Sequence, residues 1–154
     1  MNQSLEDKMP NMEPRVRQNY LAIMVAAIAN FLLEAGWYSN FQQPWLAGIG
    51  RSRDWLMSQG VNPVLQYGVA LLAGAAVAAA ISSFTQISGP QTAIRGAKAG
   101  AWLWLGIVLP IWATEYAFEV RTYALFAINT GCWLIGMIVM GAITGAWKKK
   151  IVAN

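Results

Sequence analysis

The 23 residues from Val64 to Gln86 carry no charged side chain, and no other feature of the sequence restricts the fold as strongly. As a helix rising 1.5 Å per residue, a run of that length covers about 34 Å, enough to cross a hydrocarbon core. Inside such a core the backbone has no water to bond to, so every N–H and C=O must be satisfied within its own helix. The dipeptide Asn62-Pro63 starts the run with a capping side chain and a proline suited to the first turn. Its centre, Ala70 to Ala80 with Gly74 inside it, has little side-chain bulk, and small residues let helices approach where lipid offers no hydrophobic drive. This span is therefore expected to be central in a bundle.

Three more runs have the same character. Tyr20 to Tyr38 covers about 28 Å. A third run follows Arg95 and Lys98 and contains Trp102, Trp104 and Pro110, where a bend is expected because proline lacks a backbone donor and presses on the carbonyl of Gly106. The fourth stops at Lys148, Lys149 and Lys150 and reads as the longest. The fold class is all-α: a polytopic membrane protein forming a four-transmembrane-helix bundle, with spans at about 18–39, 64–86, 95–116 and 122–147. Met1 to Arg17 is polar and broken by Pro10 and Pro14, a flexible cytoplasmic tail too long and too acidic for the basic start of a signal peptide. Between the first two spans, residues 41–63 mix Trp45, Ile49 and Trp55 with Arg51, Arg53 and Asp54, a pattern that fits short helices lying in the interface of the first outer loop.

The positive-inside rule sets the orientation. Lys8, Arg15, Arg17, Arg95, Lys98 and Lys148 to Lys150 fall on one side, and Arg51, Arg53 and Arg121 on the other. Both termini are expected to be cytoplasmic, in the plasma membrane or the inner membrane of a bacterium. Trp37, Tyr38, Trp45 and Trp147 are placed as interface anchors, and Lys148 to Lys150 as a stop-transfer signal.

The chain resembles domain of unknown function family 1761. The residues that carry the likeness are Glu34-Ala-Gly-Trp-Tyr-Ser-Asn-Phe-x-x-Pro-Trp45 at the end of the first span, then Arg121-x-x-x-Leu-Phe-x-x-Asn129 and Met140-Gly-Ala-Ile-Thr-Gly-Ala-Trp147 in the last. The resemblance implies a small four-helix membrane protein and no particular activity.

Composition narrows the function classes. The chain is 56% hydrophobic and 12% charged, has no histidine and has one cysteine, Cys132. That inventory removes histidine-based catalysis, His/Cys metal sites and an intrachain disulfide, and Asp7 and Asp54 both lie outside the spans, so a paired-aspartate protease is not available. Cys132 is expected to be an inert packing residue. No enzyme, metal or cofactor is expected, and the scattered basic residues form no stripe for nucleic acid.

The one ionisable side chain inside the first run is Glu34, four residues after Asn30 and so on the same helical face. An intramembrane carboxylate is costly and is either a functional group or one that reaches for headgroups. Arg121 and Asn129 lie at comparable depth, so Asn30, Glu34, Arg121 and Asn129 form the candidate polar pocket. Gly74 and the pairs Gly96/Gly100 and Gly141/Gly145 are candidate helix-packing positions. Two functions are compatible with this pattern. One is an accessory or scaffold subunit that packs against other membrane proteins or copies of itself. The other is an oligomeric transporter of a small solute or proton around Glu34.

Overall fold

In the computed structural model the described residues are 17–147. The polar head before Arg17 and the Lys148 to Lys150 cluster lie outside them. Helix α1 is Tyr20–Asn40, opened by the Asn19 side chain, which accepts from the backbone N–H of Ala22. Two short helices follow, α2 at Gln42–Ile49 and α3 at Arg53–Ser58. The left-handed Gly50 closes α2, and Ser52 caps α3. Helix α4 is Pro63–Ile87, with Asn62 accepting from the N–H groups of Val64 and Leu65. Four helices are long and apolar enough to cross a membrane, and the described residues are all-helical with no strand.

The third span is longer than expected, Ala93–Phe118 against residues 95–116. Thr92 supplies the cap, its hydroxyl accepting from the N–H of Arg95, so the helix opens two residues before the first basic side chain. It has three parts: α5 at Ala93–Leu103, a π-helical stretch at Trp104–Val108, and α6 at Leu109–Phe118. The regular ladder is broken just before Pro110, where the Leu109 N–H donates to the Trp104 carbonyl five residues back. One extra residue in the turn absorbs the proline within a continuing helix. Helix α7, Tyr123–Ala146, has 24 residues and is shorter than the second span at 25 and the third at 26. The expectation that the last span is the longest is thus corrected: Thr122 caps it and Trp147 ends it.

The ends of the bundle are fixed by hydrogen bonds between spans. Asn19 Nδ2 donates to the Trp147 carbonyl at 3.1 Å, and Gln91 Nε2 to the Thr144 carbonyl at 3.3 Å. The start of α1, the α4–α5 turn and the finish of α7 therefore share one end, called here the terminal end. Helices α2 and α3 and the α6–α7 turn occupy the other, the loop end.

The central helix is α7 and not α4. Eleven residues of α7 are buried against five of α4. Small side chains on α4 do allow approach, since Gly74 rests on Ala27 of α1, but α7 packs on α1, α4 and α5 together and reaches α2 as well. Its closest approach is to α5. A Cβ on Gly96 would overlap the Gly141 carbonyl, one on Gly100 the Met137 carbonyl, and one on Gly145 the Thr92 carbonyl. Both small-residue pairs face each other, so backbone touches backbone with no side chain between. Beside this seam a core of Ile23, Ala26, Ala78, Ile81, Ala99, Met137 and Met140 draws on all four spans. Dispersion between closely fitted atoms holds such a core in lipid, where burial of apolar area alone gains little.

Candidate functional site

The loop end gathers the polar side chains. Asn30, Glu34 and Tyr38 follow at four-residue steps on α1, which places them on one helical face. On α7, Asn129, Cys132 and Gly136 form the matching stripe, and all three are buried. Asn30 is 1% exposed. Its Nδ2 donates to Glu34 Oε1 at 3.0 Å, while its Oδ1 has no hydrogen-bond partner and lies over Gly136, where a Cβ would collide with it. Glycine at 136 makes room for the amide and offers a Cα–H, the weak donor that fits an oxygen facing a helix backbone.

One turn further out is a second group. The Tyr38 hydroxyl donates to Asn129 Oδ1 at 3.0 Å, and Asn129 Nδ2 donates to the Tyr116 hydroxyl at 2.6 Å. This chain of three links α1, α7 and α6. Glu34 and Tyr38 stand one turn apart on the same face of α1, so the two polar groups adjoin. Aromatic packing encloses it: Tyr38 meets Trp45 of α2 edge-on at 5.9 Å, and Tyr116 stacks on Trp112 at 5.6 Å. Two indoles pin the surroundings to α7, Trp37 Nε1 donating to the Ile128 carbonyl at 3.0 Å and Trp104 Nε1 to the Thr130 carbonyl at 2.9 Å.

The four residues expected in one pocket are divided by the structure. Asn30 and Glu34 are bonded to each other, and Asn129 is bonded to two tyrosines instead of to Glu34. Arg121 borders the second group without bonding to Asn129 or Glu34: it pairs with Glu119 on the exposed α6–α7 turn, and its guanidinium lies over the Tyr116 ring at 5.7 Å. Val120, with φ at 54°, turns the chain so that the Arg121 N–H reaches the Tyr116 carbonyl. Similar depth in the sequence does not decide azimuth, and a carboxylate two residues away captures the guanidinium first. Of the four expected anchors, Trp37 and Tyr38 turn inward to α7, Trp45 packs on Tyr38, and Trp147 ends α7 and is 40% exposed. Tyr38 and Tyr116 are the participants that sequence reasoning missed. The four-residue step from Asn30 through Glu34 could have found Tyr38, whereas Tyr116 acquires its role only once α6 is laid against α7.

The family model described as protein of unknown function (DUF1761) matches residues 21–145, most of the chain. The chain belongs to that family. The matched region runs from the first turn of α1 to the last of α7 and so includes both polar groups and both glycine pairs. No curated protein and no solved structure matches the chain.

Proposed function

We propose that this protein is a non-enzymatic membrane subunit that packs against other membrane helices, its own copies included, and that both termini face the cytoplasm of a bacterial cell. The observation that carries the reading is the third span. Its buried residues are Gly96, Ala99 and Gly100 near one end and Tyr116 near the other, with none in the π-helical stretch. Trp102, Leu105, Ile107 and Ile111 stand 66%, 48%, 51% and 58% exposed along its outer side. Gly106, with open space where its Cβ would be, leaves the backbone itself accessible there. An exposed apolar side with a bare glycine is the kind of face a second membrane helix fits. The polar groups at the loop end support the same reading, since most of their hydrogen bonds are made to one another.

Photocross-linking in native membranes tests this. Probes at Ile107 and Ile111 are expected to give a discrete adduct, either a dimer or a complex with a second protein. Probes at Leu21 and Leu72, which are more exposed on α1 and α4, should give none. A chain that stays monomeric with all four probes would overturn the proposal.

A transporter is the second reading, favoured by one observation: a half-buried carboxylate inside a span, held by a single side-chain hydrogen bond and one turn from Tyr38. Uptake into proteoliposomes that is lost in Glu34→Gln would support it. Uptake equal in both proteins and in empty vesicles would remove it.

A further inference from the structure

We propose that the cleft between the end of α4 and the start of α5 is a binding site for one anionic phospholipid of the leaflet at the terminal end. The cleft encloses about 330 Å³. Its outer part is lined by Ser88, Arg95 and Lys98, and its inner part by Phe84, Ala99 and Trp102. The order is that of a lipid: cations where a phosphate would be, then an aromatic and apolar floor one turn deeper.

Three observations favour this occupant. First, Arg95, Lys98, Ala99 and Trp102 follow at three- and four-residue steps, so both cations and the indole share one face of α5. Second, the charge at this end is uncompensated within the described residues. Their carboxylates, Glu34, Asp54, Glu115 and Glu119, all belong to the loop end, and the one ion pair among the described residues is Arg121 with Glu119. Third, the site is partly preformed. Arg95 Nη2 donates to the Ser88 carbonyl, which folds the guanidinium over the turn at the rim, and Trp102 stands 66% exposed below it. A free phosphate would use the cations but not the floor. A zwitterionic lipid would fill the floor but bring a positive group to the rim. An anionic headgroup with its acyl chain along Trp102 and Phe84 satisfies both parts. The cleft shares Trp102 with the exposed side of the third span, but its cations Arg95 and Lys98 lie outside that side, so the lipid titration and the cross-linking at Ile107 and Ile111 can fail separately.

The test uses the full chain in detergent micelles, titrated with phosphatidylglycerol or phosphatidylcholine brominated on the acyl chain. The signal is the tryptophan quenching that disappears in Trp102→Phe. Phosphatidylglycerol is expected to quench Trp102 at a much lower mole fraction than phosphatidylcholine. A cation near the headgroup layer is worth about fivefold in lipid partitioning, so Arg95→Gln with Lys98→Gln should reduce the preference about 25-fold. Lys98→Gln alone should reduce it about fivefold, and it stays informative if loss of Arg95 disturbs the Ser88 turn. Equal quenching by the two lipids, or a preference unchanged in Lys98→Gln, would overturn the proposal. Displacement of phosphatidylglycerol by millimolar inorganic phosphate would also overturn it, by showing a free-anion site.

Discussion

The two ends of the bundle hold the same central helix by opposite means. At the terminal end α7 meets α5 backbone to backbone, through Gly96, Gly100, Gly141 and Gly145, and side-chain hydrogen bonds enter only at the rim, from Asn19 to the Trp147 carbonyl and from Gln91 to the Thr144 carbonyl. At the loop end α7 is held by side chains that reach across: Trp37 to the Ile128 carbonyl, Tyr38 and Tyr116 to Asn129, and Asn30 over Gly136. The first contact is steric and leaves no room for a methyl group. The second is a set of hydrogen bonds, each of modest net worth and several of them replaceable by water or by a neighbour. The contrast teaches that the glycine seam is where the fold is least tolerant, while the polar end has more latitude to change partners.

Ways to break that contrast begin with the largest effect. Gly100→Val puts a branched side chain where even a Cβ overlaps the Met137 carbonyl. Backbone on both sides cannot yield cheaply, so a loss of about 3 kcal/mol or more is expected, read as a chain that no longer runs as a single species on size exclusion in mild detergent. A well-folded Gly100→Val protein would show that α5 and α7 do not meet there.

Asn129→Ala comes next. It leaves the hydroxyls of Tyr38 and Tyr116 without their shared partner, and thermal unfolding in detergent should report a loss of about 1–2 kcal/mol. Tyr38→Phe and Tyr116→Phe should each cost less, since each removes one bond of the chain. Equal losses for all three would mean that the bonds do not run through Asn129.

Glu34→Ala is smaller still. It takes the acceptor from Asn30 Nδ2 but also removes a carboxylate from within a span, and the two effects oppose each other. A shift within about 1 kcal/mol is expected. A larger loss would show that Glu34 holds something besides Asn30. Arg121→Ala is the smallest, within about 0.5 kcal/mol, because its pair with Glu119 is exposed on the turn.

Much of the fold is legible in the amino-acid sequence. Four uncharged or nearly uncharged runs read as helices long and apolar enough to cross a membrane, as the structure has them, and Asn62-Pro63 marks the start of α4 by a capping rule that needs no tertiary context. The ranking of neighbours is not legible in the same way. Alanine-rich α4 reads as central because small residues permit approach, but permission is not contact, and the glycines of α5 and α7 in register approach closer. The length of the third span is hidden as well, because its cap at Thr92 precedes its charges and its proline is absorbed by a π turn. At the candidate site, the pairing of Asn30 with Glu34 is readable from four-residue spacing alone. The separation of Glu34 from Asn129 is not, because depth along two helices says nothing about the rotation of each about its axis.

The most direct test of the account sets two glycine substitutions side by side in the same chain and the same detergent. Gly141 faces the Gly96 carbonyl in the seam, whereas Gly106 has nothing within 4 Å of where its Cβ would stand. Thermal unfolding should show Gly141→Ala destabilised by about 1–3 kcal/mol, and Gly106→Ala unchanged or stabilised by up to about 1 kcal/mol as glycine's extra freedom is removed. Equal shifts of the two unfolding midpoints, or a larger loss at Gly106, would contradict the claim that the bundle is closed on a backbone seam between α5 and α7.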